Sequence, residues 1–114
     1  MHADDLRKIM KKTSGWFKGE ARARIRQSLK TLSSDMARIK TLPESERLQA
    51  LKPLVAEWTD KRHQALQMGA TSYSDPAWAA AAACESWVIS ELGFCDSAEQ
   101  AEVEALVGQL IARD

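Results

Sequence analysis

Between Pro76 and Leu92 the chain reads PAWAAAAACESWVISEL, with Glu85 and Glu91 as its two charged residues. Alanine is the best helix former, so this segment is read as a helix, opened by Asp75-Pro76 as N-cap and first-turn proline and stopped at Gly93. A surface helix hides one stripe from water, whereas a helix that is apolar on nearly every side must be covered on nearly every side. The alanines at 77 and 79–83 let neighbouring backbones come close, and Trp78 and Trp87 project to opposite sides to fill wider gaps. The expected fold is therefore all-α, a compact bundle of four or five helices around a central Ala/Trp-rich helix. The alternative is that one side of this helix is open for dimerisation or partner docking.

The remaining chain supplies the helices to surround it. A short helix is expected over Asp4 to Lys12, with Leu6, Ile9 and Met10 on one face, and then a break from Thr13 to Gly19. From Glu20 to Lys40, Ile25, Leu29, Leu32, Met36 and Ile39 recur at spacings of 4, 3, 4 and 3, which aligns them in one stripe. Pro43 with Glu44 and Glu46 marks the next start. Pro53 is expected to kink or divide that helix, whose apolar side is Leu48, Leu51, Leu54, Val55, Trp58 and Leu66 up to Gly69. A last helix opens at Asp96, has Glu99 in capping-box position and buries Val103, Leu106, Val107, Leu110 and Ile111.

A chain of 114 residues, 45% hydrophobic and 28% charged, fits a single helical domain over 1–114. The longest apolar run, Ala77 to Cys84, is too short to span a bilayer. No secretory signal is read at the charged N-terminus, so a cytoplasmic location is expected, with Cys84 and Cys95 reduced rather than paired. The formal charge is zero, but residues 1–40 hold eleven Lys/Arg against four Asp/Glu, and residues 41–114 hold five against twelve. Either the halves neutralise one another across the fold, or the basic half awaits an anionic partner.

No phosphate loop, nucleophile elbow, Cys-x-x-Cys or His-Glu-x-x-His is present, so a non-enzymatic role without cofactor is expected. Glu57, Asp60 and His63 share neighbouring helical turns, but no second Glu-x-x-His completes a metal site, and an exposed charged face is the simpler reading. The basic segment carries the functional expectation. Arg22, Arg26, Lys30 and Lys40 fall about 60° to 140° round the helix from Ile25, in one strip beside the apolar stripe, with Arg24 and Arg38 on the opposite flank. Upstream, Lys8, Lys11, Lys12 and Lys18 surround Trp16 and Phe17. Such a surface suits an acidic protein partner, which makes the chain an adaptor, inhibitor or regulatory subunit; the alternative is a nucleic-acid-binding regulator using the same surface. A helix-turn-helix around Gly19 fits poorly because Gly15 spoils its first helix. Membrane binding is not expected, since the bundle consumes the narrow Ile25–Ile39 stripe. A homodimer is possible by pairing each copy's basic helix with the other's Glu99, Glu102 and Glu104.

Two charges fall where the pattern expects apolar side chains. Glu85 lies on the Trp78/Ala82/Ile89/Leu92 side of its helix, and Arg62 on the Leu51/Val55/Trp58/Ala65 side of the preceding one. Either Arg62 snorkels past the bundle edge and Glu85 faces a groove, or the two form a buried ion pair that sets how the helices align.

Overall fold

The computed structural model describes residues 2–12, 18–69, 75–92 and 97–112, apart from the side chains of His2, Lys12, Lys18, Glu20 and Ala21. Five helices follow in chain order: α1 (His2–Lys12), α2 (Lys18–Lys40), α3 (Glu44–Gln67), α4 (Pro76–Glu91) and α5 (Ser97–Ala112). The described residues contain no strand.

Local chemistry sets the helix ends. Asp75 Oδ1 accepts from Ala77 N at 3.0 Å and Trp78 N at 3.4 Å, so the expected cap is formed ahead of Pro76. Leu92 caps the other end of α4; Gly93 and Asp96, expected as stop and start signals, lie outside the described residues. At the end of α3 the chain turns at Gly69 with φ +96°, a left-handed backbone that suits glycine, and Gly69 N donates to Leu66 O at 3.0 Å. Pro43 stands one place earlier than a first-turn proline, as the N-cap residue of α3, and its carbonyl accepts from Arg47 N at 2.8 Å.

Pro53 does not divide α3, which runs through it as one 24-residue helix. The hydrogen bond that proline forfeits belongs to the carbonyl of Gln49, and Gln49 and Pro53 are both exposed, so water can replace the lost donor.

α4 packs closely against all four other helices, whereas α2 and α3 touch each other little and the backbone of α3 does not come close to that of α1 or α5 among the described residues. Ten residues of α4 are buried, including the whole run Ala79–Cys84. Around it, one continuous core gathers Ala3, Leu6 and Ile9 of α1, the five-residue stripe of α2, Leu51 and Trp58 of α3, and Val103, Val107 and Leu110 of α5. The radius of gyration is 13.4 Å, in line with the roughly 13 Å of a compact chain of this length. The α3 stripe differs in detail from expectation: Leu48 and Leu66 are exposed, while Ala65, expected on the side of Leu51, Val55 and Trp58, is buried. The 4–3–4–3 spacing through Leu51, Val55, Trp58, Arg62 and Ala65 sets the inner face, and Leu48 and Leu66 fall beside it.

Candidate functional site

The charge division along the sequence closes partly inside the fold. Lys40 Nζ, at the end of α2, lies 3.0 Å from Glu104 Oε1 of α5 and 3.9 Å from Glu91 Oε1 of α4. Arg7 Nε donates to Glu102 Oε1 at 2.6 Å, and Arg7 also pairs with Asp4. Glu99 Oε1 accepts from Ala3 N, an otherwise unsatisfied donor in the first turn of α1, at 3.3 Å. The acidic flank of α5, considered above as a dimer contact, is thus engaged by the chain's own N-terminal half.

The residues expected to bind a partner are consequently not equivalent. Lys40 is committed to the ion pairs just described. Arg22 and Arg26 are half-buried on the same flank of α2, and Lys30 is exposed there. Lys8 and Lys11 are exposed on α1. Trp16 and Phe17, and the side chains of Lys12 and Lys18, lie outside the described residues, as does Cys95; Cys84 is a free, buried thiol.

The opposite flank of α2 presents a site that the sequence reading passed over. α2 and α3 are joined by the short turn 41–43 and hold a groove of about 340 Å³ towards their far ends. Arg24 and Ser28 form one wall; Trp58, Lys61, Gln64 and Met68 form the other. The floor is α4, through Ala77, Ala80 and Ala81, which at i, i+3 and i+4 share one helical face. Trp58 is buried and its Nε1 has no hydrogen-bond acceptor among the described residues, so packing holds the ring, with Lys61 Nζ 4.1 Å from its centroid. Met68 is 89% exposed at the rim.

Arg24 and Lys61 face this groove from opposite walls, and neither has a carboxylate within ion-pairing distance among the described residues. The described lining offers two cations, a hydroxyl, an amide and an apolar floor, and no carboxylate or imidazole. Those groups can recognise an anion attached to an apolar body. Arg24 is legible in the sequence only as a cation on the flank opposite the basic strip, and Lys61 as a lone cation on a charged helix face, which carries no signal; only the pairing of α2 with α3 across α4 brings them together.

Arg62 and Glu85 do meet. Arg62 Nε donates to Glu85 Oε1 at 3.0 Å, and Thr59 Oγ1 donates to Glu85 Oε2 at 2.6 Å. The side chains are 26% and 14% exposed, and the pair borders a second cavity of about 260 Å³ with Asp5 of α1 and Trp78, Ala82 and Ser86 of α4. Ion pair and groove, set against each other as sequence expectations, coexist. Glu57, Asp60 and His63 are exposed, and among the described residues no three His, Cys, Asp or Glu side chains converge on a metal position. No described helix is long and apolar enough to cross a membrane.

Comparison with the models of known protein families, with curated proteins and with solved structures finds no match to this chain.

Proposed function

We infer that this protein acts by binding an acidic protein, as an adaptor, inhibitor or regulatory subunit, and that it does so from the α2–α3 side of the bundle. The observation that carries this reading is the pair of cations, Arg24 and Lys61, which among the described residues have no carboxylate partner and stand across a concave apolar floor, while other basic residues are spent on α5. Unpaired cations around a hydrophobic patch favour a partner of opposite charge and speed its approach.

A phosphate backbone fits the molecule less well. The basic flank formed by Arg22, Arg26 and Lys30 belongs to the side of α2 from which Lys40 reaches Glu104, so a nucleic acid laid there meets the carboxylates of α5 as well.

Affinity capture from the native host, with wild type, Arg24→Glu/Lys61→Glu and Arg22→Glu/Arg26→Glu/Lys30→Glu as parallel baits of matched helicity, tests the reading. An acidic protein retained by wild type and lost from the first variant is the expected result. Retention by the groove variant and loss from the strip variant moves the interface to the other flank. Recovery of nucleic acid whose binding collapses with rising salt, and no such protein, overturns the reading.

A further inference from the structure

We propose that the groove between α2 and α3 is a pocket for one compact organic anion, a single acid group on an apolar body, with about ten non-hydrogen atoms in all. This goes beyond the partner reading, because it concerns what the cavity itself holds rather than which protein meets the face around it. Size is the first argument. The cavity measures about 340 Å³, at the low end of small-molecule sites, and a liquid gives each water-sized group roughly 30 Å³. Its floor is already closed, since Ala80 and Ala81 are 4% exposed and Trp58 is 7% exposed. An occupant therefore stops at this floor and is held between the two walls, which suits a body the size of one small ring and gives no seat to a folded element.

Charge gives the second argument. Arg24 and Lys61, both exposed, stand on opposite walls, and the described lining holds no carboxylate. Asp60 lies outside that lining and accepts from Gln64 Nε2 at 3.0 Å. The planar fork of Arg24 matches an acid group, Lys61 adds a second positive charge across the cavity, and the Ser28 hydroxyl supplies a neutral donor. A cationic occupant has nothing to pair with here.

The apolar part of the lining is the third argument and separates this cavity from a patch that merely attracts small ions. Ala77 is half-buried on the α4 side, and Met68, 89% exposed, brings a thioether to the rim. Methionine adapts its shape to whatever packs against it, so the cavity tolerates variation in the body while the two cations fix the acid group.

The test titrates the ¹⁵N-labelled full chain, at neutral pH and matched ionic strength, with sodium benzoate, sodium acetate and benzyl alcohol. These supply the acid and the body together, the acid alone and the body alone. Benzoate is expected to shift the amide signals of Arg24, Ser28, Lys61, Met68 and Ala77 along one saturating curve, with a Kd of about 1 mM or tighter. Acetate and benzyl alcohol should bind at least about tenfold more weakly, as should benzoate to an Arg24→Gln/Lys61→Gln variant of wild-type helicity. Equal shifts from benzoate and acetate show that charge alone is felt, and equal shifts from benzoate and benzyl alcohol show that the cations take no part; either result overturns the proposal. Benzoate binding that the double variant retains, shifts confined to the Arg22/Arg26/Lys30 flank, or a response that never saturates overturns it as well. The acidic-partner reading survives each of these outcomes, because it is decided by affinity capture and not by this titration.

Discussion

Arg62 reaches across from α3 to place its Nε 3.0 Å from Oε1 of Glu85 on α4, joining the two charges that interrupt the apolar faces of these helices. Thr59, one turn before Arg62, donates to the other carboxylate oxygen. The two partners are therefore unequal: loss of Arg62 leaves Glu85 with the Thr59 hydroxyl, whereas loss of Glu85 strands both donors. Because both side chains keep some contact with water, the cost falls between that of surface pairs and fully buried ones. Glu85→Ala is expected to destabilise by about 2–3 kcal/mol and Arg62→Ala by about 1–2 kcal/mol. The double variant should lose clearly less than the sum in urea melts; additive losses would show that the two side chains are not coupled.

Glu91, the last residue of α4, is a carboxylate whose surroundings favour its protonated form. Glu91 is pushed above its ordinary value of 4.5 by burial first and then by its contact with Glu104, with Lys40 and the Gln100 amide opposing. Glu104 is held below 4.5 by its hydrogen bond with Glu91 first and then by Lys40, with burial opposing. Glu91 Oε1 is buried without a donor among the described residues, and a proton on Glu91 resolves this by letting it donate to Glu104. The folded state then holds that proton more tightly than the unfolded chain does. The stabilisation is complete below pH 4.5 and is lost as pH rises through the elevated value of Glu91. Glu104 acts in the opposite sense, adding stability above 4.5 that disappears as pH falls through its depressed value. Glu91→Gln, which keeps a neutral side chain at all pH, is expected to flatten the decline above pH 4.5 and to melt higher than wild type at pH 7. A wild-type stability that does not fall over that interval, or a variant melting lower at pH 7, contradicts the shared proton.

Helical period made much of this legible in advance. The stripe Ile25–Leu29–Leu32–Met36–Ile39 is buried throughout, and the absence of a polar face on Pro76–Leu92 foretold that α4 would be surrounded. Arg62 and Glu85 stood out because a charge inside an apolar stripe needs a partner or a route to water. Whether Pro53 divides its helix depends on whether the carbonyl one turn earlier faces solvent, which local sequence does not reveal; α3 runs through it undivided. The groove was hidden for a related reason. Periodicity states which face of a helix is buried, but not which helices become neighbours, so Arg24 and Lys61, far apart in the chain, had no visible relation. The strip at Arg22, Arg26, Lys30 and Lys40 was real as a pattern, yet its last member went to α5.

Cys84 offers a probe of how tightly the centre is closed. Its thiol is buried, and burial above all raises its pKa far beyond the usual thiol range, with Lys61 opposing and Glu57 adding to the rise. The reactive thiolate is therefore scarce in the folded state. In a Cys95→Ser background, where Cys84 is the only thiol, alkylation at pH 8 is expected to proceed through opening of the bundle and to accelerate sharply near the urea midpoint. Reaction at the rate of a free thiol in native buffer would show that α4 is not sealed.

The alanines of α4 make the strictest demand on volume. Ala79 and Ala83 have no exposed surface, and the helix they belong to contacts α1, α2, α3 and α5 at once. A leucine at either place has no solvent side into which to turn, so neighbouring helices must move apart or the side chain must leave its preferred rotamers. Ala83→Leu is expected to destabilise by about 1–3 kcal/mol despite the better hydrophobicity of leucine. Ala101→Leu, at an exposed position of α5, should stay within about 0.5 kcal/mol of wild type. The comparison separates packing from helix propensity, because alanine and leucine differ little in that respect. If Ala83→Leu melts at or above the wild-type temperature, α4 has room around it that close packing denies, and its placement as the enclosed centre of the bundle is wrong.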